Sequence, residues 1–486
     1  MKKRTKIVTG ALAALSLSLC FAGCSSQQAY VTSISPAGTT ESGTQYTVTY
    51  SDGREETLTV RNGKDGADGQ VTSPSINEIY DKYVEEYGET TYADFLELYF
   101  ASTEANSTAV VGTCLQSSLK VYSTFVTSSS TPSWGWSWSG GSSKTYSLSV
   151  AQGSAVIYEI DGDDTYIVTN YHVVYNGKSD EAANGGYLAK DVYCYLYGSE
   201  GAPKATEQKD ETYGYSLYDF GEYAIECELV GGSITADLAV LKANTGDLLA
   251  INEDIREVTL SEGYVVGESA MAIGNTEGEG ISVTKGIVSV DNEYIALKID
   301  GTARYYRCLR IDTSIYSGNS GGGLFNEKGE LIGITNAGNT EDQNINYAIP
   351  ISIVQGTVDN ILHYAKDGDE TTNGAYKITL GIQVEAKNSR YVYDAANGRG
   401  TIIENVCLNS VDSGSIAKKM GLTSGDIITS LTIGTEKYDI LRNFDISDLL
   451  LRVRAGDTIS ISYTRNGESK TSENYVVLAS DLSNVQ

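Results

Sequence analysis

The pentapeptide GNSGG, residues 318–322, sets Ser320 among glycines, so that little but its own side chain and that of Asn319 occupies the turn. Such a bend lets a hydroxyl approach a substrate carbonyl while neighbouring amides face the same spot. Attack by that hydroxyl needs a base to take its proton and an acid to orient the base. The 486-residue chain has only two histidines. His363 falls in ISIVQGTVDNILHYAK (351–366), a helical pattern on which it is half exposed, whereas His172 in DDTYIVTNYHVV follows a run of β-branched and aromatic residues, the signature of a strand end. An acid is available in GGSITADLAVLK, where Asp237 precedes an apolar strand. Taken singly, each has an ordinary reading: Ser320 and Asn319 as turn formers, His172 as a structural histidine, Asp237 as a turn cap. Taken together, in the order His172, Asp237, Ser320, they are the parts of a nucleophilic acyl-transfer site.

A rigid frame must aim these residues. From about 107 to 350 short strands alternate with Gly, Asn and Asp turns, which predicts a β-barrel or sandwich. Two stretches interrupt it: a polar loop at 127–144 bearing Trp134, Trp136 and Trp138, and a Gly-, Tyr- and acid-rich stretch at about 176–222. A helix is expected over 351–366, a linker at KDGDETTNG, and a compact α+β module over 376–480. Upstream, QYTVTYSDGREETLTV (45–60) predicts a hairpin turning at Ser51-Asp52-Gly53, and GKDGADGQ (63–70) a flexible link. Ser75 with Glu78, and Thr91 with Asp94, are helix-capping pairs ahead of aromatic stripes. The expected division is therefore 1–23, 24–74, 75–103, 107–366 and 376–480.

A formal charge of −28 argues against a nucleic-acid partner, because phosphate binding draws on Lys and Arg. The basic start MKKRTK followed by a short apolar run reads as an export signal over 1–23. Phe21-Ala22-Gly23-Cys24 resembles the lipobox of bacterial lipoproteins, which makes Cys24 the expected lipidation site and the membrane its anchor, on the outer side of the cell membrane. Beyond it Cys114, Cys194, Cys227, Cys308 and Cys407 cannot all pair. Without CxxC spacing they form no zinc site and are expected to be buried free thiols; no metal or cofactor is expected.

The blocks TNYHVV (169–174), ADLAVLK (236–242) and YSGNSGGGLFNEKGELIGIT (316–335) resemble the active-site blocks of HtrA/DegP-type serine proteases. The resemblance implies a mostly-β chain with a chymotrypsin-like double β-barrel over 107–366. It implies Ser320 as nucleophile, His172 as general base and Asp237 as orienting acid, with the amides of Gly318, Asn319 and Ser320 as oxyanion hole and Ser314 at the floor of the S1 pocket. LGI (380–382), SGSIAKKMGLTSGDIITSL (413–431) and ISDLLLRVRAGDTISISYTRNG (446–467) resemble one PDZ domain, in which Leu380, Gly381 and Ile382 would receive a peptide C-terminal carboxylate. The implied function is a surface-anchored serine endopeptidase acting on unfolded or misfolded proteins, with a homotrimer as the family's usual assembly. A pure binding protein on the same scaffold is the competing class, and the presence of all three triad residues weighs against it. Asn319 stands where trypsin-type zymogens carry an Asp, so activation by a newly cut N-terminal ammonium is not expected.

Overall fold

The computed structural model describes residues 31–40, 43–50, 53–61, 80, 84, 108–131, 143–199, 201–338, 342, 344–366, 374–394 and 399–485. Cys24, the export segment, nearly all of 75–103 and the three tryptophans lie outside the described residues. The chain divides into two units, 1–100 and 101–486. In the first, β1 (Val31–Thr40), β2 (Gly43–Tyr50) and β3 (Glu55–Arg61) form an antiparallel meander. The β2–β3 pairing, Thr49↔Glu55 through Gly43↔Arg61, is the hairpin expected at 45–60, with Gly53 supplying the positive φ of its turn.

The second unit opens with a helix over 108–115 and a closed six-stranded barrel. Its strands are β4 (Ser118–Thr131), β5 (Ser143–Asp161), β6 (Asp164–Thr169) and β7 (Val192–Leu196), then, after a β8/β9 hairpin (Lys204–Lys209, Ser216–Asp219), β10 (Ile225–Ser233) and β11 (Leu238–Asn244). Two sequence expectations change here. β7 is a barrel strand inside the stretch read as an interruption; its alternation VYCYL is too short to stand out among acidic and Tyr-rich neighbours. β4 and β5 also run on through Thr131 and from Ser143, so both ends of the stretch read as a loop are strand, their Thr and Ser residues extending the ladder to Thr131↔Ser143.

After a short β12 (Thr259–Leu260) come β13 (Ser269–Asn275), β14 (Ile281–Lys298), β15 (Ala303–Ile311), β16 (Gly323–Phe325), β17 (Glu330–Gly338) and β18 (Asn346–Pro350). They pair in the order β12-β17-β16-β13-β14-β15-β18, and a β17–β18 pairing closes the ring. Inward residues fill each barrel: Leu119, Val121, Ile157, Ile167 and Leu241 in the first, Ala272, Leu309, Ile311, Leu324 and Ile332 in the second. A third cluster, with Val156, Val168, Leu238, Ile273 and Phe325, lies between them under the helix Ile351–Ala365, whose Val354, Val358 and Ile361 it includes. Packing both barrels and a helix into one apolar layer fixes where their strand ends meet.

The remaining chain, β19 (Tyr376–Ile378), β20 (Ile382–Asp394), β21 (Arg399–Val411), β22 (Ile427–Ile433), β23 (Glu436–Asp439), β24 (Thr458–Arg465), β25 (Glu468–Thr471), β26 (Tyr475–Val476) and β27 (Leu482–Asn484), forms an α+β module with its own core. Among the described residues β20 is an edge strand, and β19 pairs with β27 alone. The module is tied to the helix Ile351–Ala365 through Asn360, whose side-chain amide donates to Tyr376 O and Leu451 O at 2.8 Å each. Arg307 of β15, buried, pairs with Asp448 of the helix Asp445–Leu449 and lies over Phe444.

Candidate active site

β6 ends at Thr169, and the chain then turns through a single 3-10 turn, Tyr171–Val173, with Asn170 in the extended conformation that opens it. Thr169 Oγ1 donates to Ser154 O at 2.7 Å, which fixes the strand end, and Tyr171 and Val173 point into the first barrel's core. His172, between them, faces out; its side chain is 32% exposed.

Asp237 lies between β10 and β11 with φ 53°, a left-handed conformation that a non-glycine residue holds only when its surroundings impose it. Its carboxylate is fully buried, which is costly unless every lone pair finds a donor. Three do: the His172 amide reaches Oδ1 at 2.9 Å, while His172 Nδ1 at 2.7 Å and Asn336 Nδ2 at 2.8 Å reach Oδ2. Asn170 Nδ2 donates to the Asp237 carbonyl at 2.9 Å and holds the turn from the other side. With Nδ1–H on the carboxylate, Nε2 of His172 is the free base. Burial pulls the imidazole's pKa down, but the Asp237 charge and hydrogen bond together outweigh it, so it lies above its ordinary 6.5. The same carboxylate reaches the second barrel: burial first, and then the Asp237 charge, push the Cys308 thiol up to about 12.

Ser320 lies in the turn before β16. Gly318 and Gly321 have φ of 94° and 87°, and a Cβ at either would overlap backbone, Asn275 O for Gly318 and Ser154 O for Gly321; at Gly322 it would strike Ile273 O. The sequence's glycines are thus demanded by close approach of other strands as well as by backbone sign. Ser154 stitches this turn to the first barrel, its hydroxyl donating to Gly318 O at 2.7 Å and its amide to Ser320 O at 2.8 Å. Thr335 Oγ1 donates to Asn319 O. The Ser320 hydroxyl itself donates to Asn336 O at 3.0 Å, and among the described residues no hydrogen bond joins it to His172.

Asn336 therefore touches both sides of the site, its amide on Asp237 and its carbonyl on Ser320. Sequence reasoning passed over it, as it did Ser154 and Asn170, because nothing in ITNAG marks an asparagine that will face a residue 99 positions earlier. Among the described residues the amides of Gly318 and Ser320 donate to no protein group. The Asn319 amide does, to Tyr316 O at 3.1 Å, which corrects the expectation that all three amides are available for an oxyanion: this one is spent on its own turn. The Asn319 side chain is buried and accepts from Thr276 Oγ1 at 3.0 Å, a neutral partner for a neutral residue.

A cleft of about 570 Å³ opens beside His172 and Asn336, walled by Tyr175, Lys178 and the tip of the β14–β15 hairpin. Ser314 is half-buried on the approach to the Ser320 turn, its carbonyl held by Thr284 Oγ1 at 3.0 Å. Leu380 is buried, its carbonyl accepting from Ala417 N, and Gly381 has φ 70° with its carbonyl accepting from Asp412 N; Ile382 begins the edge strand β20. His363 is exposed, all five cysteines of the described residues are free and buried, and no cluster of His, Cys, Asp or Glu suited to a metal occurs among the described residues.

Residues 153–334 match the family model of the trypsin-like peptidase domain. The serine protease Do-like HtrA of Lactococcus lactis subsp. lactis (strain IL1403) is 27% identical over 349 residues, 69% of this chain and 73% of the relative. The serine protease Do-like HtrB of Bacillus subtilis (strain 168) is 30% identical over 328 residues, 65% of this chain and 60% of that one. Among solved structures, the HtrA-type protease AlgW with decapeptide aligns over 76% of this chain and 98% of that chain, at 24% identity and a TM-score of 0.44. The trypsin-like peptidase domain match and the similarity to these two serine proteases identify the chain as a serine endopeptidase.

Proposed function

We propose that Ser320, His172 and Asp237 form the catalytic triad. The observation that carries this is the fully buried Asp237, bonded to His172 Nδ1 at 2.7 Å and joined through Asn336 to the Ser320 hydroxyl. Ser320 Oγ attacks the scissile carbonyl as His172 Nε2 takes its proton. The alkoxide that develops is received by the amides of Gly318 and Ser320, each such donor being worth about 3 kcal/mol of barrier. His172 then returns the proton to the leaving amine, and water repeats the cycle on the acyl-enzyme. Asp237 keeps the proton-bearing nitrogen turned inward and stabilises the imidazolium. For Ser320 to begin, its hydroxyl leaves Asn336 O and presents its proton to Nε2.

The chain acts on unfolded or misfolded proteins at the bacterial cell surface, held there by lipid on Cys24. Residues 376–480 are a PDZ domain that takes peptide C-termini along β20, with the carboxylate at Leu380, Gly381 and Ile382. The edge of β20, unpaired among the described residues, and the positive φ of Gly381, which turns the loop sharply ahead of that edge, support this. Ser314, uncharged, favours small or medium apolar residues at the cleaved bond, and a homotrimer is the assembly proposed. Degradation of casein by the region from 107 onward, lost in Ser320→Ala, tests the central reading; undiminished casein cleavage by the Ser320→Ala protein would refute it. Calorimetry with free-acid and amidated peptides tests the second, since equal binding of the two would remove the carboxylate's role.

A further inference from the structure

The loop that delivers Asp237 is held from far along the chain. β27 pairs antiparallel with β19, Tyr376↔Asn484 to Ile378↔Leu482, and carries Val485 onto residues 233–236. The Val485 amide donates to Ala375 O at 2.8 Å, which fixes its peptide plane. Its carbonyl accepts two hydroxyls of the loop, Ser233 Oγ and Thr235 Oγ1, both at 2.8 Å. Ser233 Oγ in turn accepts the Ala236 amide at 3.3 Å, and Ala236 and Val485 pack on the same buried cluster. The buried Tyr306 hydroxyl donates to Ile234 O at 2.8 Å. These anchors precede Asp237 by one to four residues, beside the Asn170 bond to its own carbonyl, and Asp237 has a left-handed φ of 53°. A non-glycine residue stays in that region only while its neighbours over-determine it. Among the described residues the Val485 carbonyl is the hydrogen-bond acceptor that side chains of this loop find outside the two barrels and their helix.

We infer that residues 482–485 are a strap that positions Asp237, with Val485, Ser233 and Thr235 acting as positioning residues for peptide hydrolysis. The inference rests on the role proposed above for Asp237. When the strap lifts, Ser233 and Thr235 lose their common acceptor, the 233–236 loop relaxes, and the carboxylate no longer meets the His172 amide and Nδ1 together. The reaction slows while the substrate cleft, built from β17, the 175–178 segment and the β14–β15 tip, stays as it was.

The test compares the parent protein with a chain ended after Asp481, with Thr235→Val and Thr235→Ser in the full chain, and with Asp237→Asn. All are assayed on a fluorogenic peptide that the Ser320→Ala protein does not cleave. Ending the chain after Asp481 is expected to lower kcat roughly tenfold to a hundredfold, the scale of an ångström's misplacement of a catalytic group, with KM within about twofold of the parent. The acid limb of the kcat/KM profile is expected to move to lower pH, because the imidazolium loses carboxylate support. The other charged groups lining the cleft beside His172, Lys178, Lys298 and Asp300, are untouched by the change. Thr235→Val should give a smaller effect of the same kind, absent in Thr235→Ser, which keeps the hydroxyl, and absent when Val is placed in the shortened chain, where the acceptor is already gone. A folded shortened chain with the parent's kcat and acid limb overturns the inference. Should the shortened chain fail to fold, Thr235→Val decides alone: a kcat and acid limb equal to those of Thr235→Ser overturn it. Parent-like activity in Asp237→Asn would refute the role of Asp237 itself, whereas an inactive Asp237→Asn beside a fully active shortened chain refutes only the strap.

Discussion

The two barrels supply the site by opposite means. The first gives side chains, His172 and Asp237, held by hydrogen bonds between strand ends with no glycine in either turn. The second gives backbone: the Ser320 turn has positive φ at Gly318 and Gly321, and its carbonyls are gripped by Ser154 and Thr335. A fault in a reacting side chain, His172, Asp237 or the Ser320 hydroxyl, is therefore chemical, while a fault in the backbone frame of the Ser320 turn is steric and reaches the junction of both barrels. Asn336, which bonds to each side, should show some of both.

The largest effects fall on the chemical share. His172→Ala and Ser320→Ala are each expected to lower kcat by about a millionfold, and the double variant by little more, since the triad acts as a unit. Asp237→Asn should cost about ten-thousandfold, because an amide can hold the wrong tautomer. Single-turnover rates of the three, with unchanged thermal unfolding for Ser320→Ala, would establish the first half of the contrast. Gly321→Ala breaks the second half: a Cβ against Ser154 O, at a φ of 87°, should destabilise the protein by about 3 kcal/mol or more and lower activity with it. Denaturant unfolding would read this, and a Gly321→Ala protein of parent stability would contradict the steric account.

Asn336→Ala removes one donor from a buried carboxylate, a loss of about 1.5–3 kcal/mol that should appear as a tenfold to hundredfold fall in kcat. The smallest expected effect is in pH. Catalysis needs neutral His172, so with its pKa raised the acid limb of kcat/KM lies above 6.5, and Asp237→Asn moves it down. Stability carries the opposite sign: the His172 contribution is complete below 6.5 and is lost as pH rises through the higher folded value. Unfolding free energies measured across this range, in parent and His172→Ala proteins, check it.

The same contrast explains what could be read from residues alone. His172 and Asp237 were legible because their chemistry resides in side-chain type, and because a chain with two histidines leaves few bases to choose from. Ser320 was legible through its glycines, which record close approach without naming the strand that approaches. Asn336, Ser154 and Ser233 were not, since each acts on a partner 99 or more residues away that only the tertiary fold brings near. The mostly-β architecture followed from turn chemistry, but β7 was hidden in polar sequence because ladder pairing to β4 and β10, more than its own apolar content, makes it a strand. The loss of the Asn319 amide to Tyr316 likewise depends on a turn geometry that the letters GNSGG allow and do not dictate.

The central claim is that the His172–Asp237 pair activates Ser320, and a fluorophosphonate that traps activated serines tests it without a natural substrate. Mass spectrometry of the treated protein should find one adduct, on the peptide containing Ser320, and none there when His172 is replaced by Ala. An unlabelled Ser320 in the parent, or labelling that survives His172→Ala at an equal rate, would contradict the account.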